Sequence, residues 1–267
     1  MIFLIVDFLD PHFVTWYGSH FSYHGACDLV LVNNPRFASG KGLDVHVRTA
    51  HMLKDHFSYV SNAAVRVGTD VLEVIDNGNH FVNGVLNSSM PARLGDFVVT
   101  KRNEQICRGN DGSKCYEIVD FKVALMERDE IQIKVASNMV HVDVKGSSHN
   151  FEGSSGLMGT YPSKHHGKIA RDGLTFIREP DMFAQEWQVL ESESKLFQEP
   201  RFPQHPQACI PAVQAAQTER RLRDEAEGKA RVAAEEACAH VEGRDWEFCV
   251  FDVMATGDYG MAATIYA

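Results

Sequence analysis

The chain lacks any apolar run long enough to cross a membrane. Its longest, Met1–Val6, falls far short of the roughly 18 residues a spanning helix needs. It also lacks a basic block. Asp and Glu total 36 against 26 Lys and Arg, a net of −10 with histidine neutral. Phosphate contacts need clustered cations, so no nucleic-acid partner is expected, and neither is membrane insertion. No GxSxG elbow, P-loop, GxGxxG fingerprint, HExxH helix or CxxC pair occurs. The familiar sequence signatures of hydrolases, nucleotide-binding enzymes and zinc sites are therefore missing, and no enzyme is expected. The opening MIFLIVDFLDPHF has no basic n-region and no small-residue cleavage site. It reads as a short buried strand rather than a signal peptide, and localisation is not legible there.

What is present is ordinary globular composition, with 44% apolar and 23% charged residues over 267 positions. Residues 1–150 read as short strands: LVLVNN, LDVHVRT, AAVRVG, DVLEVI, HFVNGVL, DFVVTK, KCYEIVDFKVALMERD, EIQIKVAS and MVHVDVKG. Gly, Asn and Asp turn signals separate them at roughly 8–12-residue spacing, the pattern of an antiparallel β-sandwich or barrel. In IQIKVAS, Ile131, Ile133 and Val135 share one face and Gln132 and Lys134 the other. DNGN (Asp76–Asn79) predicts a type I′ hairpin turn, and Arg128–Glu130 a second tight connection.

The remainder is organised differently. Residues 146–180 are rich in Gly and Ser. MFAQEWQVL is a short amphipathic piece, followed by a Pro-studded linker from about residue 191 to 208. From Pro211 to His240 the chain is rich in Ala, Glu and Arg, which predicts a helix of about 45 Å weakened at Gly228. A second helix follows, with Asp245 as its N-cap. The apolar positions Val213, Leu222, Val232 and Val241 do not follow heptads. That favours packing on the β region over self-association, although self-association stays open. The division expected is residues 1–208 for the β domain and 209–267 for a helical hairpin.

Six cysteines allow bridges or six buried thiols. Cys107 and Cys115 flank a turn-rich loop between strands, and Cys238 and Cys249 flank the turn between the two helices. Cys27 and Cys209 remain as the third pair. Thirteen histidines, among them His12, His20, His24, His165 and His166, follow no metal-ligand spacing and read as scattered strand and loop residues. Asn87-Ser88-Ser89 is an N-glycosylation sequon in a predicted turn.

Three ordered motifs carry a resemblance. Asp10-Pro11-His12-Phe13 with Thr15, Trp16, Gly18, Gly25 and Cys27 resembles the opening of the von Willebrand factor type D domain. Gly156-Leu157-Met158-Gly159-Thr160-Tyr161 is similar to that family's G-L-C-G-N-[FY] turn, and FAQEWQV with Trp187 to its closing F-G-x-S-W-x-V. HGACDLVL, RDG and EWQV look most like the cysteine-poor version of the domain in secreted proteins of algae and other marine eukaryotes. CVFDVMATGD is similar to a segment that follows such domains in large extracellular proteins.

The resemblance implies a β-sandwich, a Cys27–Cys209 clamp, and a non-catalytic adhesive or structural role outside the cell. An extracellular protein or glycan would be the partner. Two departures stand out. The cysteine before the DPH motif is missing and Met158 replaces the turn cysteine, as though one bridge had been lost as a unit. The family's calcium site would fall to Asp10, Thr160 and Ser163. That is a weak oxygen set beside the cationic Lys164, although calcium or glycan binding through Asp10 and the Gly156–Gly167 loop remains the alternative.

Overall fold

The computed structural model describes residues 11–51, 58–108, 114–126, 128–146, 149–162, 168–200, 229–264 and 266. The strand expected at the extreme N-terminus, most of the expected long helix, and His165 and His166 lie outside the described residues.

Among the described residues thirteen strands form three antiparallel sheets. β1 (His12–Val14) and β2 (His20–Ser22) make a small hairpin. β3 (Asp28–Asn34), β4 (Leu43–His51), β5 (Ser58–Val67), β6 (Asp70–Ile75), β7 (His80–Val82) and β8 (Val85–Leu86) form one sheet in sequence order. β9 (Ala92–Leu94), β10 (Phe97–Arg108), β11 (Lys114–Ala124), β12 (Glu130–Ala136) and β13 (Met139–Lys145) form the other. β13 lies across β5 and β6, and β9 lies against β6, so the two larger sheets face one another as the sandwich expected from the sequence.

Alternation builds the core between them. Val45, Val47, Val65, Leu72 and Val74 from one sheet meet Phe121, Val123, Ile131, Ile133, Val142 and Val144 from the other in a single buried cluster. Each such side chain contributes about 1.5–3 kcal/mol by leaving water. β12 alternates between inner and outer faces as its sequence predicts, with Ile131 and Ile133 inside.

Turn chemistry sets the register, with one correction. The type I′ geometry sits at Asn83-Gly84, where both residues have positive φ (51° and 80°) and Val82 pairs Val85. The expected single strand HFVNGVL is therefore two. Ser137-Asn138 makes the same two-residue connection between β12 and β13. At Asp76–Asn79 only Gly78 has positive φ, and the Gly78 N–H donates to the Ile75 carbonyl at 2.9 Å. That is a longer hairpin loop ending in a left-handed glycine. The Arg128–Glu130 connection joins β11 to β12 as predicted, closed by the Leu125 N–H donating to the Asp129 carbonyl at 2.8 Å.

Among the described residues four helices follow the strands: α1 (Pro180–Glu186), α2 (Lys229–Ala237), α3 (Arg244–Thr256) and α4 (Gly260–Thr264). The expected second helix is thus two pieces, separated where Gly257 takes a left-handed conformation. The N-cap of α3 is Gly243 and not Asp245. Asp245 and Glu247 instead lie in the first turn, where they complement the helix dipole.

The helices pack on the sandwich through a second apolar cluster. Ala234, Cys238, Cys249, Val250, Val253 and Met261 meet Ile118, Ala136 and Met139. Val232, expected as a packing residue, is exposed. Small residues do the work instead, because they let helix and sheet approach closely. A methyl group on Gly260 would overlap the Tyr116 ring, with carbons 1.8 Å apart. Phe248 of α3 stacks on His12 at 3.7 Å, tying the helix to the β1–β2 hairpin.

The Cys238–Cys249 disulfide joins α2 to α3, with both residues fully buried. Its 11-residue separation gives a loop-closure stabilisation of about 3 kcal/mol. Replacing both cysteines by alanine should therefore cost about 2–3 kcal/mol in denaturant unfolding. Hydrogen exchange should accelerate in α2–α4 and stay unchanged in β12 and β13. Uniform acceleration across the sandwich would contradict a locally acting bridge.

Candidate functional site

β3 is the edge strand of its sheet, and the three motifs converge on it. The Leu157 N–H donates to the Val30 carbonyl at 3.0 Å, and Asn33 and Ser155 exchange two bonds at 2.7 and 2.9 Å. The Val30 N–H donates to the Trp187 carbonyl, and the Val189 N–H to the Asp28 carbonyl, both at 2.8 Å. The Trp16 N–H donates to the Met158 carbonyl at 2.8 Å, and its indole N–H to the Gly159 carbonyl at 3.1 Å. The Trp187 indole N–H donates to the Ile169 carbonyl at 3.2 Å. Both tryptophans are buried.

The remaining motif residues are equally committed to the scaffold. Pro11 gives its carbonyl to the Tyr23 N–H at 3.1 Å. His12 shares a 2.7 Å hydrogen bond with the Ser22 hydroxyl. The carbonyl of buried Gly25 accepts the Thr49 hydroxyl at 2.7 Å, and the Thr49 hydroxyl oxygen in turn accepts the Cys27 N–H at 2.9 Å. Gly159 closes its turn by donating to the Gly156 carbonyl at 2.9 Å.

Gly156 has a strict steric reason to be glycine. Its φ is +141°, and an added Cβ would stand 2.3 Å from the Leu31 carbonyl oxygen, a backbone atom that cannot swing away. Gly18 also has positive φ, but nothing lies within 4 Å of its would-be Cβ. Gly156→Ala should cost more than about 3 kcal/mol in equilibrium unfolding and Gly18→Ala about 1 kcal/mol. Equal losses would show that conformation, not close approach, governs both sites.

Other expected sites stand as follows. Cys27 and Cys115 are each disulfide-bonded. Cys115 stands directly opposite Cys107 in the ladder, while the Cys107 side chain and Cys209 lie outside the described residues. Asp10 and Ser163 also lie outside them, and Thr160 is half-buried. Among the described residues no group of three or more His, Cys, Asp or Glu side chains is arranged to hold a metal ion. Asn87 is exposed at the β7–β8 hairpin, its amide donating to the Asn79 side chain at 3.1 Å and accepting the His80 N–H at 3.2 Å. Four described histidines are buried: His12, His46, His80 and His141.

A polar cavity that no motif announced lies on the outer face of this sheet. Of the expected linker, residues 191–200 are described. They run back over β4–β6 as a strap, with Leu196 and Phe197 buried against Ala64 and Val71. The Gln198 N–H donates to the Glu73 carboxylate at 2.8 Å. Two arginines pin the strap. Arg48 pairs with Asp28 at 2.7 and 2.8 Å and lies 4.5 Å over the Phe197 ring. Arg171 bonds Glu193 at 2.5 Å and the Glu186 and Gln188 carbonyls at 2.8 Å, and lies 4.7 Å over Trp187. These part-buried pairs outweigh the exposed Lys41–Asp96 pair, which belongs to a class worth at most about 1 kcal/mol.

Between strap and sheet is a space of about 230 Å³ lined by Val30, Asn33, Asp44, His46, Arg66 and the Ser192–Ser194 stretch. Asp44 accepts the Asn33 amide at 2.5 Å and pairs with Arg66, which also donates to the Gly68 carbonyl at 2.7 Å. The buried Nδ1 of His46 and Nε of Arg66 have no protein hydrogen-bond partner. Strand alternation places these groups. Asp44 and His46 point outward from β4 while Val45 and Val47 enter the core, and the register sets Asp44 opposite both Asn33 and Arg66. The alternation in LDVHVRT was the available signal. Nothing in the sequence marked the strap that covers it.

Burial holds the His46 imidazole down at about pKa 4. Glu193 and Asp28 pull it up, and Arg171 and Lys195 push it further down. The folded protein keeps His46 neutral while the unfolded chain protonates near 6.5, so stability falls as pH drops from about 6.5 toward 4. At pH 4.5 the loss from this group should be about 2 kcal/mol. Urea unfolding of wild type and His46→Leu at pH 7 and 4.5 should show the variant losing that much less. The same acid sensitivity in the variant would refute it.

No protein-family model matches the chain, and no curated protein matches it either.

Proposed function

We propose that the chain is a non-catalytic structural or adhesive module of a secreted matrix or cell-surface protein, resembling the von Willebrand factor type D domain. The cysteine chemistry carries the reading. Among the described residues, Cys27, Cys115, Cys238 and Cys249 are all disulfide-bonded. Disulfides persist in oxidising compartments and are rare in the cytosol. The motif residues fit the same role, because Trp16, Gly156 and Trp187 are spent on closing a sheet edge and not on lining a cleft. The Asn87 sequon is exposed at the end of β8, where its side-chain amide donates to Asn79.

Peptide mapping without reduction, on chain produced through a secretory pathway, tests the proposal. Cys27–Cys209, Cys107–Cys115 and Cys238–Cys249 are the expected linkages, with a glycosidase-sensitive mass at Asn87 as an accompanying mark of the route. Folded protein carrying six free thiols would overturn the extracellular assignment.

A further inference from the structure

We propose that the cavity between the outer face of β3–β5 and the 191–200 strap binds one neutral sugar unit through its hydroxyl groups. The inference goes beyond the structural role and stands independently of it.

The lining selects the ligand class by charge. A metal cation would meet the Arg66 guanidinium, and both nearby carboxylates are already held, Asp44 by Arg66 and Glu193 by Arg171. An inorganic anion would meet those same two carboxylates. A neutral polyol avoids both conflicts. Each of its hydroxyls can donate to an Asp44 lone pair or the Asn33 amide oxygen and accept from an N–H or serine hydroxyl. His46 is neutral at ordinary pH, so it adds polarity without charge.

Size points the same way. About 230 Å³ lies below the range of roughly 300–1,000 Å³ typical of drug-sized ligands, and suits a single ring. Val30 supplies an apolar contact for a ring C–H face. Exposed Ser192 and Ser194 stand at the rim, which gives the ring a way in from solvent and lets further sugar units project outward. With one ring and few contacts, affinity should be near 1 mM.

Nitrogen-resolved NMR tests this on the intact chain. The probes are the methyl glycosides of glucose, mannose, galactose and N-acetylglucosamine, with sodium acetate, sodium phosphate and calcium chloride run in parallel. At least one glycoside should shift the His46 ring and the 192–194 amides saturably in the millimolar range. Ser194→Trp, a change at an exposed position that fills the cavity mouth, should weaken that response at least about tenfold, and so should Asn33→Ala. Absence of a saturable shift with all four glycosides would overturn the proposal. So would an unchanged response in Ser194→Trp, or saturation of the same resonances by acetate, phosphate or calcium at lower concentration than any glycoside. None of these results bears on the disulfide map, so the two proposals fail separately.

Discussion

The edge of β3 is the constraint on which the rest of the structure depends. Its backbone groups are buried, and a buried N–H or C=O without a partner costs about 1–3 kcal/mol. Among the described residues no strand takes that side. Two irregular segments do, the 155–158 turn along its second half and 187–189 along its first. Each segment then recruits its own support. The turn is held by Trp16, and the 187–189 stretch by the stacking of Arg171 on Trp187. Sealing the edge also removes a template for pairing with another chain. The absence of a side chain at Gly156 is part of the same closure, because only a bare Cα can come so near the Leu31 carbonyl.

Much of this was legible in the sequence. Alternation in EIQIKVAS and LDVHVRT foretold both the strands and their buried faces. The motif spacing named Trp16, Gly156 and Trp187, although it did not say that all three serve one strand. The errors have local causes. Asn-Gly occurs twice, and the type I′ turn formed where two flanking residues could pair directly, at Val82 and Val85, and not at the first occurrence. The helical face was misjudged at Val232 because the contact uses Ala234 and Cys238, whose small volumes carry little weight in a hydrophobicity pattern.

The polar cavity was illegible for a deeper reason. Asn33, Asp44, His46 and Arg66 look like an ordinary solvated strand face. What changes their chemistry is a strap from a Pro-studded, polar stretch whose composition says linker. Two apolar residues, Leu196 and Phe197, and two arginine contacts are enough to lay it down. Sequence pattern reports the faces of an element well. It reports poorly which distant, irregular segment will come to cover them.

The way β3 is completed also bears on how the chain is made. Trp16 waits for a partner 143 residues downstream, and Asn34 for one 120 residues downstream. Throughout synthesis of the intervening strands the first sheet stands with one side unfinished. Long-range closures of this kind slow folding, and they leave an unpaired hydrophobic strand edge open to aggregation until the downstream residues emerge. The period of greatest vulnerability for this protein is therefore on the ribosome, before its own later residues arrive to act as the missing strand.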